Sequence, residues 1–373
     1  MKTRKILALL LVLLMVLPLM VACGGGTPDP TPAPATPAPA ETTPAEESPE
    51  EPEASYLPHD ESVEIRWPNI IDVDRTVHAN RPFRIAYANW NDENSVAIIV
   101  RDSVVEAAQF YGLEVVVMDN RQDPLQAMTN AQTAIQMEVD FYLNFNQDES
   151  INAAIAELLE ENGIPLISLQ TMARIGVDPA YHVNNPEIGY ICGEMLVEEA
   201  QIRWPDVPEE EIILFIAGHP EAGVNFIQRA EGVIDAVTSR MPGVRVVEIS
   251  TDGSPETTRQ RTADFLTAHP QGRILMWCHI DQNTMGMLAA VRAADREDEV
   301  IITSFGANPV IFHELLDPDS AVIGTVAQFS ERFGWDILPM IIRHLNDGTP
   351  IPLTTMPPMA IITGDNLEHY FPQ

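Results

Sequence analysis

From Phe83 onward the chain alternates short apolar runs with longer amphipathic stretches. Phe83–Ala88, Leu113–Met118, Phe141–Phe145 and Pro165–Leu169 are apolar runs of strand length. Between them, Val96–Tyr111, Pro124–Met137 and Ile151–Asn162 carry apolar residues at helical spacing, and Gly163 stands where the last should end. After a break near His182-Val183-Asn184-Asn185 the alternation resumes. Helices are expected over Pro186–Gln201, Val224–Arg240, Thr257–Ala268, Thr284–Ala294 and Phe329–Leu345. Strands are expected over Ile212–Ile216, Val244–Ile249, Ile274–Cys278, Val300–Phe305 and Ala321–Val326. Near-continuous apolar strands separated by helices predict α/β architecture with parallel sheets covered on both faces. The roughly 290 residues involved exceed what one core usually holds, so the expectation is two doubly wound lobes with a cleft between them. In such sheets ligands sit beyond the carboxyl ends of the strands. Ser62–Pro82 resists placement, although Val63–Trp67 alternates like a strand.

The pattern before this region is different. Lys2, Arg4 and Lys5 precede an unbroken apolar run from Ile6 to Leu17, and Val21-Ala22 stand before Cys23. A basic start, a short apolar core and a small residue at the cut describe a secretory signal over residues 1–22. The run falls short of the ~20 apolar residues a spanning helix needs. Cys23, followed by Gly24-Gly25-Gly26, resembles the lipidated cysteine of bacterial lipoproteins, with Met20 where Leu is usual. That resemblance implies a lipid anchor at Cys23 on the outer face of the cell membrane, with more than one acyl chain for stable attachment. Residues 23–61 are dominated by Pro, Thr, Ala and Glu, a composition that cannot bury enough surface to order itself and predicts an extended tether.

Charge narrows the partners. Both lysines lie in the signal, so the remainder carries 18 basic residues against 55 acidic, a formal charge of −37. Nucleic acid and anionic membrane surfaces are poor partners for such a field. The lack of lysine also removes Schiff-base chemistry and the P-loop lysine. Cys192 and Cys278 are expected to be buried and unpaired, and neither has metal-ligand spacing around it.

Several strings in order resemble the type I periplasmic-binding proteins of the ribose/galactose-binding sort. They are Ile164-Pro165-Leu166-Ile167-Ser168-Leu169, Arg229-Ala230-Glu231-Gly232, Phe265-Leu266-Thr267-Ala268-His269-Pro270, Thr325-Val326-Ala327-Gln328 and Asn366-Leu367-Glu368. The resemblance covers residues 83–365. It implies a three-stranded hinge, with crossings near Asn184-Asn185, Gln328-Phe329 and Leu353–Thr355. It places residues 83–184 with 329–353 in the first lobe and 185–328 with 354–373 in the second. It further implies a monomer that closes on a small sugar-like ligand without a cofactor and hands it to an ABC permease.

Position by position, the resemblance assigns the ligand to Trp90 and Asn94 after the first strand, Asn144 on the third, and Gln170 with Thr171 after the fourth. Arg229 opens a second-lobe helix, Asp281 follows the Cys278 strand, Phe305 and Asn308 follow Ser304, and Gln328 lies at the hinge. Amides suit hydroxyls, which both donate and accept. Arg offers a planar fork, and Trp90 and Phe305 offer flat apolar faces. Each has a structural alternative: Trp90 covering a strand end, Asn94 and Asp281 capping helices, Arg229 paired with Glu231 or another acid, Phe305 in the core. His279 has no partner pattern for metal. The chain departs from the family where Gln170-Thr171 replaces Asp-Arg, Gly306 replaces Asp, Ile280 stands at a frequent Asn position, and Val96-Ala97 replace an aromatic pair. Two sugar-gripping carboxylates are therefore missing.

The same residues bear on other functional classes. A ligand sensor for a chemoreceptor or histidine kinase would use the same lobes. An exported glycosidase needs paired carboxylates, yet Asp281 is the lone carboxylate among the candidates. Neither a Gly-x-Ser-x-Gly elbow nor a His-Glu-x-x-His helix occurs. A sugar-responsive repressor would need a helix-turn-helix where the signal and tether stand.

Overall fold

The computed structural model describes Tyr56–Pro372; the signal, Cys23 and the tether through Ser55 lie outside the described residues. The first half of the chain runs β1 (Arg84–Asn89), α1 (Ser95–Tyr111), β2 (Glu114–Asp119), α2 (Pro124–Gln136), β3 (Phe141–Phe145), α3 (Glu149–Glu161), β4 (Leu166–Leu169) and β5 (Ala180–Tyr181). The second runs α4 (Asn185–Arg203), β6 (Ile212–Gly218), α5 (Val224–Arg240), β7 (Arg245–Ser250), α6 (Pro255–Ala268), β8 (Arg273–Cys278), α7 (Asp281–Ala293), β9 (Val300–Phe305), α8 (Phe312–Leu316) and β10 (Val322–Ala327). The chain ends with α9 (Phe333–Asp347), β11 (Thr354–Thr355), β12 (Ala360–Ile362) and α10 (Leu367–Tyr370).

Two six-stranded sheets result, ordered β11-β5-β4-β3-β1-β2 and β12-β10-β9-β8-β6-β7. Every pairing is parallel except β12 against β10. The central strands β3, β4, β6 and β9 are buried along their whole length, which explains their unalternating apolar character. Helix boundaries follow local chemistry. Asn94 accepts from the Val96 and Ala97 amides at the start of α1, Asp123 accepts from Leu125 before α2, and Ser254 caps α6.

The main differences from the sequence expectation lie at the joints. Phe329 adopts a left-handed conformation (φ 49°) and a tight turn occupies Ser330–Arg332, so α9 starts at Phe333 rather than Phe329. Thr354–Thr355 pairs with β5 in the first sheet while Ala360–Ile362 pairs with β10 in the second. The third crossing therefore falls between Thr355 and Ala360, later than Leu353–Thr355. Strands of two or three residues carry too little pattern to announce themselves.

The tether also ends earlier than residue 61. The Leu57 amide donates to Ala79 O (2.7 Å), the Asp60 amide to Phe110 O (2.9 Å), and His59 stacks on Phe110. Residues 62–82, unplaced by sequence, form an arm that buries Ile70, Ile71, Val77 and Ala79 in the first lobe's core. Trp67 meets Phe371 edge-on at 5.5 Å, linking the arm to the end of the chain.

Two glycines set the spacing of α4 and α5. A Cβ at Gly189 would stand 2.0 Å from Arg229 O, and one at Gly232 would stand 2.2 Å from Pro186 O. Only bare backbone permits this approach, which holds α5 close over the sheet. Cys192 and Cys278 are free and buried, and burial pushes both thiols up to about 12.

Candidate functional site

The carboxyl ends of both sheets face one cleft. First-lobe residues in its lining are Trp90 and Asn94 after β1, Gln122 after β2, Phe145 and Gln147 at β3, and Gln170 after β4. From the second lobe come His219 after β6, Phe226 and Arg229 on α5, Asp252 after β7, His279 after β8 and Phe305 at the end of β9; Gln328 follows β10. The cavity volume is about 130 Å³. A cavity of about 150 Å³ accommodates a single benzene ring, so the space suits one small ring.

Six of the nine sequence candidates meet here: Trp90, Asn94, Gln170, Arg229, Phe305 and Gln328. The other three do not line the cavity. Asn144 is fully buried one layer beneath it and donates to Asn152 Oδ1 (2.9 Å). Asn152 in turn donates to Asn146 O and Thr171 Oγ1, and Thr171 donates to Asn146 O (2.6 Å). This network ties the turn after β3 to the turn after β4, which carry Gln147 and Gln170. Its members position the wall rather than form it.

Asp281 is likewise internal. It accepts from the Asn308 amide (2.7 Å) and Thr325 Oγ1 (2.8 Å). Burial pushes its carboxyl up to about 6 against those hydrogen bonds. Asn308 caps the turn at Pro309–Ile311 by accepting from the Val310 amide. Gly306 has a local reason to lack a side chain. Its φ is 129°, and a Cβ there would meet Asp281 Oδ2 at 3.2 Å. Asp281 thus occupies the space that a side chain at position 306 would enter.

Arg229 is the central side chain of the second wall. It lies in the second turn of α5, not at its opening, and is only 4% exposed. Its guanidinium carbon sits 4.1 Å from the Phe305 ring centre and 5.1 Å from that of Phe226. Nε donates to Asn185 Oδ1 (2.7 Å) and Nη1 to His279 O (3.4 Å). The pairing with Glu231 does not form: among the described residues Arg229 makes no ion pair. Burial alone pulls its pKa down to about 9, leaving it charged at neutral pH. Phe305 is core-buried, as its structural alternative has it, lines the cavity, and in addition forms a platform for Arg229.

His279 is buried and hydrogen-bonded at both ring nitrogens. Nδ1–H donates to Ala217 O (3.2 Å) and Nε2 accepts from Asn283 Nδ2 (3.4 Å). Burial drops its pKa to about 3, so it is neutral. Desolvation lowers His219 as well. No cluster of metal-ligating side chains occurs among the described residues.

The first wall is neutral. Gln170 donates from Nε2 to Gln328 Oε1 (2.9 Å), while Gln170 Oε1 has no partner within the protein. Both Gln122 (φ 55°) and Gln170 (φ 70°) hold left-handed backbone, a costly conformation for a side chain of this kind. Asn225 on α5 joins the walls, donating to Gln147 Oε1 and Gln170 O (3.1 Å each). Ser95 Oγ to Gln282 Oε1 (3.3 Å) is a second bridge. Sequence reasoning missed Gln122, Gln147, His219 and Asp252, although each follows a predicted strand end, and Phe226, which lies one turn before Arg229 on α5.

A cleft between two parallel-sheet lobes, lined from nearly every strand end, defines a protein that encloses a small ligand. The periplasmic binding protein domain profile matches residues 85–350, and the chain belongs to that family. This is a family of binding proteins that work outside the cytoplasm. The ribose import binding protein of Salmonella typhimurium is 23% identical over 269 residues, covering 71% of this chain and 86% of the relative. Among solved structures, a galactofuranose binding protein matches with TM-score 0.69 at 15% identity, over 78% of this chain and 97% of its own. A solute binding protein from Actinobacillus succinogenes with bound D-allose matches with TM-score 0.69 at 18% identity, over 78% of this chain and all of the other.

Proposed function

We propose that this chain captures a small polyhydroxylated solute, a monosaccharide or sugar derivative, by lobe closure and delivers it to an ABC importer. The observation that carries this reading is the lining of a ring-sized cavity. Side-chain amides following five strands share the lining with Trp90, Phe145, Phe226 and Phe305. Amides complement hydroxyls in either direction, and the aromatic faces complement the C–H side of a sugar ring. The unpartnered Gln170 Oε1 is an acceptor suited to a ligand hydroxyl.

Ligand-contacting roles fall to Trp90, Asn94, Gln170, Arg229, Phe305 and Gln328, joined by Gln122, Gln147 and His219. The sugars after which these relatives are named or with which they were solved, ribose, galactofuranose and D-allose, support the sugar class. Hinge closure rests on the three crossings near Asn184, Gln328 and residues 356–359. Export by residues 1–22, lipid attachment at Cys23, the acidic tether and a monomeric state complete the reading. The ligand is held without being transformed.

The test is a thermal-shift screen of the purified chain against pentoses, hexoses, polyols and nucleosides, followed by mass spectrometry of the recovered ligand. At 100 times Kd a ligand adds about 2.7 kcal/mol to stability, a shift of several degrees. A shift with a sugar recovered intact supports the reading. A shift confined to nucleosides or other non-sugars, or a consumed ligand, overturns it.

A further inference from the structure

The two walls of the cleft differ in charge, and the ligand must answer that difference. Arg229 is a cationic group removed from water. Burying a cation without a counter-charge is expensive, and proteins ordinarily place a carboxylate beside it. Here none is supplied. Asp252 is exposed at the rim and accepts from the Ser254 amide and Thr257 Oγ1. Asp281 is internal, takes the Asn308 amide and Thr325 Oγ1, and forms no ion pair with Arg229. The other titratable groups in the lining, His219 and His279, are held toward their neutral forms. The buried part of the lining therefore holds one cation without a counter-charge, the Asp252 carboxylate standing at the exposed rim, in a chain that is otherwise strongly acidic.

The guanidinium is also prepared for a planar acceptor. Of its five N–H donors, the Nε and one Nη1 donor are used, and Nη2 has no protein acceptor among the described residues. Phe305 and Phe226 hold the plane, and Asn185 fixes Nε. The open Nη edge matches a carboxylate bidentately.

We propose that the ligand is a sugar or polyol acid whose carboxylate pairs with Arg229 while its hydroxyls meet the amides of the opposite wall. This rests on the sugar-binding reading and narrows it. A carboxylate is favoured over a phosphate ester because one guanidinium balances one negative charge. A phosphate brings about −1.5 to −2 and would need a second cation that the lining lacks.

The experiment uses the whole chain, unfolded and refolded to strip carried-over ligand, and measures affinity by calorimetry for matched pairs. The probes are D-galacturonate against D-galactose, D-gluconate against sorbitol, and D-glucose 6-phosphate against D-glucose. The expected result is at least a ~10-fold preference for a carboxylate over its neutral counterpart. Arg229→Gln should erase that preference, and Arg229→Lys should keep part of it. The wild-type comparison stands by itself if a variant fails to fold. A neutral sugar binding as well as or better than its acid overturns this inference and leaves the sugar reading intact. A phosphate ester binding best overturns the carboxylate assignment. Binding of acids without hydroxyls, such as acetate, at the same affinity as the sugar acids retains the Arg229 pairing but overturns the sugar reading. Failure of every probe overturns both.

Discussion

The two walls of the cleft use aromatic residues in different ways. On the first lobe Trp90 is half-buried and meets Phe145 at 6.2 Å between ring centres. On the second, Phe305 is buried in the core and supports a charged guanidinium. The first wall is a neutral set of amides on turns; the second is a cation on a helix backed by closely packed sheet and helix. A ligand that satisfies both has an uncharged, hydroxyl-bearing face and a face that meets Arg229. The contrast also separates what each side risks on mutation. The first wall can lose affinity without losing the fold, whereas the second links the two.

Substituting the matching aromatics gives the largest expected effect. Phe305→Ala should cost about 3–5 kcal/mol of stability, because it empties a core site and removes the platform beneath Arg229. Trp90→Ala should cost about 1 kcal/mol of stability while weakening ligand binding by a comparable amount. Denaturant melts and calorimetry on the two variants provide the comparison. Equal stability losses would show that the walls are built alike and would remove the distinction.

The next largest effect is a pH dependence confined to the second wall. The folded pKa of His279 is about 3, against about 6.5 unfolded. The unfolded chain binds the proton first, so this contribution is complete above about pH 6.5 and is lost as pH falls toward 3. By pH 4 the wild type should have lost about 3 kcal/mol that His279→Asn does not lose. Asp281, raised to about 6, acts in the opposite direction. Its contribution is present at low pH and is lost as pH rises through 6, in wild type and variant alike. The difference between the two chains therefore isolates the histidine. Parallel stability curves from pH 7 to 4 would mean that His279 is hydrated or paired in the fold.

The architecture was legible because it is written in long, repeated patterns. Buried parallel strands such as Ile212–Gly218 are apolar throughout, and the helices between them carry clear caps such as Asn94 and Asp123. What sequence did not reveal lies in short or strained pieces. β5, β11 and β12 have two or three residues each, and Phe329 bends the second joint between the lobes through a positive φ that no residue type advertises. The site was legible as strand ends but not as side-chain direction. Asn144 and Gln147 both follow from β3, yet one turns into an amide network and the other into the cleft. Asp281 looked like the one available carboxylate, but its neighbours Asn308 and Thr325 hold it inside. Such choices depend on partners distant in sequence.

Asn225 joins the walls and offers a smaller test. Its amide nitrogen reaches both Gln147 and Gln170 across the cleft. Asn225→Ala removes a polar bridge formed when the lobes meet, worth about 1 kcal/mol. Affinity should fall about fivefold, expressed as faster release, since the encounter with the open form is unchanged. An unchanged release rate in stopped-flow measurements would mean that the bridge forms irrespective of closure.

The smallest expected effect reverses sign between stability and binding. Gln170 holds φ 70° at the end of β4, where glycine would rest without strain. Gln170→Gly should therefore raise stability, with relief of about 0.5–1 kcal/mol from the backbone offset in part by greater unfolded-state freedom. The same change removes the Nε2–H bond to Gln328 and the unpartnered Oε1 acceptor, so affinity should fall. A variant that is no less stable yet binds more weakly would identify Gln170 as a residue kept in a strained conformation for the ligand. A loss of stability with affinity unchanged would instead make it a structural link between β4 and the hinge, and the first wall would then owe its polarity to Asn94, Gln122 and Gln147 alone.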